Sequence, residues 1–185
     1  LMDAGLRIVA QAGMRGLTHR AVDREAGVPA GTTSNYARTR AELVGALGTR
    51  SFERLAPPSL EPDPERPPSL ETAIWYVQQI AHRVLAEPDL MIALFELRLE
   101  ARRHPDLRAT LQETLARGYA TDVLFNQRAG LPGGAWEIAL LHFAIDGLML
   151  DQLTVSIGPG MESVDATVAD LVRRILAPAS ASTPS

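Results

Sequence analysis

The chain contains no cysteine, which excludes disulfides and thiolate metal sites. Lysine is missing too: all 18 basic residues are arginine, a bias that reads as genome composition rather than mechanism. No uncharged apolar run reaches the length needed to span a bilayer. No secretory signal is visible, since Asp3 and Arg7 stand inside an amphipathic pattern at the start. Strand signals and internal repeats are also absent, so the expected fold is all-α. Catalytic and metal signatures are missing as well: no HExxH, no carboxylate-bridged ExxH pair, no glycine-rich phosphate loop. Neither Ser34 nor Ser156 has a base nearby in the sequence to activate it. Glu96, Glu100 and His104 recur every four residues, but Arg102 and Arg103 interleave them, the pattern of a solvated, salt-bridged face. The chain is therefore expected to be no enzyme, to hold no metal and to need no cofactor. With no targeting signal the expected location is the cytoplasm. The chain opens on leucine rather than methionine, so a preceding segment is expected to lie outside this numbering.

What is present is helical. At 185 residues and 46% apolar, the chain can hold one medium domain or a small head on a larger body. Residues 1–54 carry eight arginines against five acids, a net of +3, and the remainder ten against seventeen, a net of −7. A basic head on an acidic body suits a protein that meets phosphates at one end only. Within that head, Leu17 to Arg40 reads as two short helices joined by a tight turn. Thr18 is an N-cap candidate. Ala21, Val22 and Ala26 are expected inward, with His19, Arg20, Asp23 and Arg24 toward solvent. Gly27 should end the first helix and Pro29 open the second. Ala30 to Tyr36 is small, hydroxylated and uncharged, as a helix that enters the major groove must be.

The order Leu17-Thr18, Arg20, Val22, Ala26-Gly27-Val28, Gly31-Thr32, Tyr36 and Leu43 resembles the N-terminal helix-turn-helix of TetR-family transcriptional regulators. The likeness runs from Leu1 to about Leu47, and Asp146-Gly147-Leu148 is similar to a segment of the family's late helices. Ser34, Tyr36 and Ala37 stand where the family usually has an aromatic, a histidine and a large apolar residue. The resemblance implies a helix-turn-helix domain over 1–48 and a ligand-binding and dimerisation domain over 49–177. Double-stranded operator DNA is the implied partner. Thr32, Thr33, Ser34 and Asn35 are expected near base edges. Arg20, Arg40 and Tyr36 are expected at phosphates, with Thr18, His19, Ala30 and Gly31 beside them.

Behind the head the pattern continues helix by helix. A fourth helix is expected over Arg40 to Leu55. A proline-rich loop follows over 56–69, with six prolines between Pro57 and Pro68. A fifth helix follows Ser69, a sixth follows Pro88 and runs to about His104, and a seventh opens at Pro105. The eighth, Ala135 to about Ile157, is apolar on nearly every face, so it should be buried on more than one side. The ninth, Ser163 to about Leu176, carries one apolar stripe, and a disordered tail is expected over 178–185.

In the resembled family the last two long helices form a four-helix dimer bundle. That implies a homodimer seam at Leu148, Leu150, Leu153, Leu171 and Ile175. Aromatic walls with a few fixed polar groups describe a small-molecule pocket, and the family implies one among helices five to eight. Trp75, Gln79, Met91, Phe95, Arg98, Tyr119, His142 and Asp146 are its expected lining, with His142 and Asp146 one turn apart on helix eight. Helix four would then carry a ligand's effect to the head. The reading is a dimeric, ligand-responsive DNA-binding regulator, expected to be a repressor released by a small, largely apolar effector. Two alternatives stay open: a helical regulator answering to a protein partner through the proline-rich loop, and a small-molecule-binding protein that has lost DNA function. The departures at Ser34 and Ala37 motivate the second.

Overall fold

The structure, a computed structural model, describes residues 1–55 and 61–177. Among them there are nine helices and no strand, as expected: α1 (Met2–Gly16), α2 (His19–Glu25), α3 (Thr32–Tyr36), α4 (Arg40–Leu55), α5 (Leu70–Ala86), α6 (Pro88–Ala101), α7 (Pro105–Arg128), α8 (Ala135–Leu153) and α9 (Val164–Leu176). Among the described residues no helix is long and apolar enough to cross a membrane.

Local chemistry sets most of the helix ends. The hydroxyl of Thr18 accepts from Ala21 N at 3.1 Å, and that of Ser163 from Ala166 N at 3.1 Å, so each caps its helix. Gly27 adopts φ 67°, a left-handed turn that glycine takes without steric cost. Gly13 breaks α1 with φ 65°, after which one more turn runs to Gly16. Three ends differ from expectation. The sixth helix stops at Ala101, because Pro105 disfavours helical backbone at His104. The eighth stops at Leu153. There the carboxylate of Asp151 accepts from Ser156 Oγ (2.7 Å) and Ile157 N (2.8 Å) and ties the following residues into a turn. The third begins only at Thr32, since Gly31 stands at φ 92°.

The helices fall into two compact units. The first comprises Leu1–Ala56 and Ala86–Gly118, holding α1 to α4, α6 and the first part of α7. One buried cluster runs through it: Leu6, Val9 and Leu17, then Val22, Leu43 and Leu47, then Leu90, Leu97, Leu107 and Leu111. A Cβ on Gly5 would stand 2.7 Å from Leu47 Cδ2, so any larger residue there would force the buried Leu47 side chain to move. This unit is larger than the 1–48 head read from the sequence. Three short helices bury too little apolar surface on their own, and α6 packs along α1 to complete the core.

The second unit comprises Pro57–Leu85 and Tyr119–Ser185, with α5, the rest of α7, α8 and α9. Ile138, Leu141, Leu148 and Met149 of α8 and Val168, Val172 and Leu176 of α9 are buried. On α5, Tyr76 meets Phe125 edge-on at 4.9 Å. Part of the expected proline-rich loop, 56–60, lies outside the described residues, as does the tail 178–185. The remainder of the loop is tied down: Asp63 N donates to Tyr76 Oη (2.9 Å), and the Arg66 guanidinium lies 3.6 Å from the centroid of the Trp75 ring.

Candidate nucleic-acid interface and effector site

The five-residue α3 has no capping side chain of its own. Its cap comes from α2. Asp23 is only 2% exposed, and its carboxylate accepts from Gly31 N (2.7 Å), Thr33 N (2.7 Å) and Thr33 Oγ1 (2.6 Å). The Thr33 hydroxyl holds this carboxyl below its ordinary pKa, against the opposing effect of burial, with the two backbone donors and nearby His19 adding to the lowering. Asp23 was expected toward solvent. Helical periodicity marks the faces of a helix, but not a carboxylate placed to cap its neighbour. The same bonds remove Thr33 from the expected DNA face: it is 0% exposed, its hydroxyl committed to Asp23. Ser34, Asn35 and Tyr36 remain exposed, as do Thr18, Arg20, Ala30 and Gly31. Thr32 is half-buried and donates its hydroxyl to the Pro29 carbonyl at 2.6 Å.

Two further residues of the expected DNA set are bound to the head's own backbone. His19 Nε2 donates to the Ala37 carbonyl (2.7 Å), which holds the end of α3 against α2. Arg40 donates to the carbonyls of Leu17 (2.7 Å) and Met14 (2.6 Å), clamping the connection between α1 and α2. Arg40→Ala is therefore expected to lower the melting temperature, by about 1–2 kcal/mol of stability for two charge-assisted bonds at a half-exposed site. The salt dependence of DNA binding should stay as it was. A salt slope flattened by about one unit, with stability untouched, would return Arg40 to the phosphate contacts.

Of the expected effector residues, Met91, Phe95 and Arg98 lie in the first unit and Trp75, Gln79, Tyr119, His142 and Asp146 in the second. Met91 is buried in the core. Trp75 has its ring covered by Arg66. Within the second unit Tyr119 and His142 come together, rings edge-on at 5.9 Å, with the Tyr119 hydroxyl on the Ala135 carbonyl (2.6 Å). The acid that the fold brings to His142 is Asp122 of α7, with Oδ2 3.0 Å from Nε2. Arg83 of α5 belongs to the same neighbourhood: Asp122 acts on it electrostatically, and its Nε is buried without a hydrogen-bond partner among the described residues. Sequence reading passed over Arg83, because an arginine on an amphipathic helix looks like its solvated edge. Only its position after Tyr76 and Gln79, seven and four residues on, marks the shared face. A separate cleft of about 570 Å³ in the first unit is lined by Arg15, Arg40, Glu96, Glu100, Arg102 and Arg103 among others. None of the expected effector residues lines it.

Of the five expected seam residues, Leu148 is buried within its own unit, Leu153, Leu171 and Ile175 are half-buried, and Leu150 is 47% exposed. Trp136 and Phe143, each 65% exposed, stand two heptads and one heptad before Leu150 on α8. The three form one apolar row open to solvent.

Residues 68–178 match a family model described as tetracyclin repressor-like, C-terminal domain. The comparison with curated proteins finds no match. Among solved structures, a TetR-family transcriptional regulator from Rhodococcus sp. superposes with a TM-score of 0.73 at 19% identity, covering 95% of each chain. A TetR-family member from Streptomyces coelicolor A3 gives 0.66 at 25% identity, again with 95% of each chain covered. The multidrug binding protein EbrR, complexed with imidazole, gives 0.65 at 25% identity over 100% of this chain and 94% of that one. EbrR has also been solved complexed with ethidium and with proflavin.

Proposed function

This chain belongs to the TetR family of transcriptional regulators, and from that premise we propose that it is a homodimeric repressor which leaves a palindromic operator when a small organic effector binds. The α3 face carries the DNA half of this reading. Ser34, Asn35 and Tyr36 are exposed side by side on a helix whose backbone is held by Asp23. Rigid presentation of short polar side chains is what base-edge readout needs. Arg20 supplies a phosphate contact from α2, and Tyr36 another through its hydroxyl.

The effector half is supported by Tyr119, His142 and Gln79 in the second unit and by the ligands of EbrR, a protein of like fold. The Trp136–Phe143–Leu150 row supports the dimer, since a soluble chain seldom leaves such a stripe uncovered. Control by a protein partner through the proline-rich loop is disfavoured, because its described part is already bound to Trp75 and Tyr76.

Mobility shift on the promoter beside the chain's own gene tests the reading. Asn35→Ala is expected to cost about 1–3 kcal/mol and relax the preferred sequence at one position. Arg20→Ala should weaken all sequences alike and reduce the salt slope by about one. If both variants shift the operator like the parent, α3 is not the reading helix.

A further inference from the structure

Arg83 lies on α5, and its Nε is buried with no hydrogen-bond partner among the described residues. A guanidinium has five donors and no acceptor and keeps its proton in proteins, so it cannot relieve the deficit by becoming neutral. The carboxylate that acts on it is Asp122. Asp122, however, already meets His142 Nε2 at 3.0 Å. Arg83 and His142 thus share one carboxylate, and the Nε–H of Arg83 lacks an acceptor among the described residues. Aromatic surface lies on the same two helices: Tyr76, seven residues before Arg83, against Phe125, three residues after Asp122.

We infer that Arg83 anchors an acidic effector, a carboxylate or comparable oxyanion on an apolar body, within the site where the proposed function already places the ligand. The anion takes the Arg83 donors while Asp122 stays on His142. An organic cation would face that guanidinium instead and is expected to be refused. Burial lowers the pKa of Arg83 and Asp122 raises it, with burial the larger influence. Arg83 therefore keeps its charge at a desolvation cost, as binding groups often do at some expense of stability.

The test uses the full chain and three probes of matched size: 2-naphthoate, 2-naphthamide and N-methylquinolinium. Calorimetry is expected to show 2-naphthoate binding at least tenfold tighter than the amide, and no binding of the cation. Arg83→Met should bring naphthoate down to the affinity of the amide. Without ligand the same variant should melt higher than the parent by about 2–4 °C, since a desolvated charge has been removed. A merely structural arginine predicts the opposite: a lower melting point and unchanged naphthoate affinity, which would overturn the inference. Preferred binding of N-methylquinolinium would overturn the assigned charge class and leave the effector site standing. Failure of all three probes to bind would overturn the effector site itself, and the inference with it.

Discussion

Alanine in place of Asp23 is expected to undo α3 and, with it, operator binding. Five residues are too few to hold a helix in water, and this one has no capping side chain of its own. Its backbone order rests on three bonds into a single carboxylate. With alanine at position 23, Thr33 N and Thr33 Oγ1 lose their acceptor while buried. Each buried donor left unpaired costs about 1–3 kcal/mol, and every 1.4 kcal/mol is tenfold in an equilibrium. Operator affinity, measured by fluorescence anisotropy, should therefore fall by about 100-fold or more. Hydrogen exchange should show lost protection at Gly31 and Thr33 while α5 to α9 stay protected. Asp23→Asn keeps the shape but offers one acceptor oxygen in place of two, so it should fall between the parent and alanine. The pH dependence has a definite sign. The folded-state pKa of Asp23 lies below its ordinary value, so its contribution is present above the usual carboxylate range and is lost as pH falls through the folded value. Parent and Asp23→Asn should thus converge in stability at acid pH. Parent-like operator affinity in Asp23→Ala would mean that α3 is held by something other than this cap.

The second large effect is expected at the apolar row on α8. If Trp136, Phe143 and Leu150 meet a second copy of the chain, arginine at Phe143 places an unpaired charge inside an apolar seam. Such a charge costs about 3–5 kcal/mol, enough to raise a dimer dissociation constant by roughly two to three and a half orders of magnitude. Light scattering should then report a monomer at micromolar protein. Operator affinity should fall with it, because a palindrome is bound by two heads held at fixed spacing. Leu99→Arg is the control, since Leu99 is 62% exposed but belongs to the first unit. It should leave the dimer intact. A Phe143→Arg protein that still scatters as a dimer would place the interface elsewhere.

The sequence by itself determined the helices and their order. Thr18, Ser163, Pro88 and Pro105 announce helix starts through side-chain and ring chemistry confined to one turn. Leu6 and Val9, Leu43 and Leu47, and Leu90 and Leu97 recur at helical spacing, and all six are buried. The helix-turn-helix was legible because each of its signals is local. Only the tertiary structure decided what each polar side chain does. Asp23, Thr33, His19 and Arg40 all looked like surface or DNA-facing residues, and each instead reaches backbone or side chain 10 to 26 positions away. Asp122 and His142, twenty residues apart, meet across two helices, and the Nε of Arg83 is buried where periodicity alone would leave the side chain wet. The physical reason is one of range. Propensity, caps and apolar periodicity act within one or two turns, so the chain states them in order. A buried polar group is satisfied by whatever the fold brings within about 3 Å, and that partner has no fixed place in the sequence.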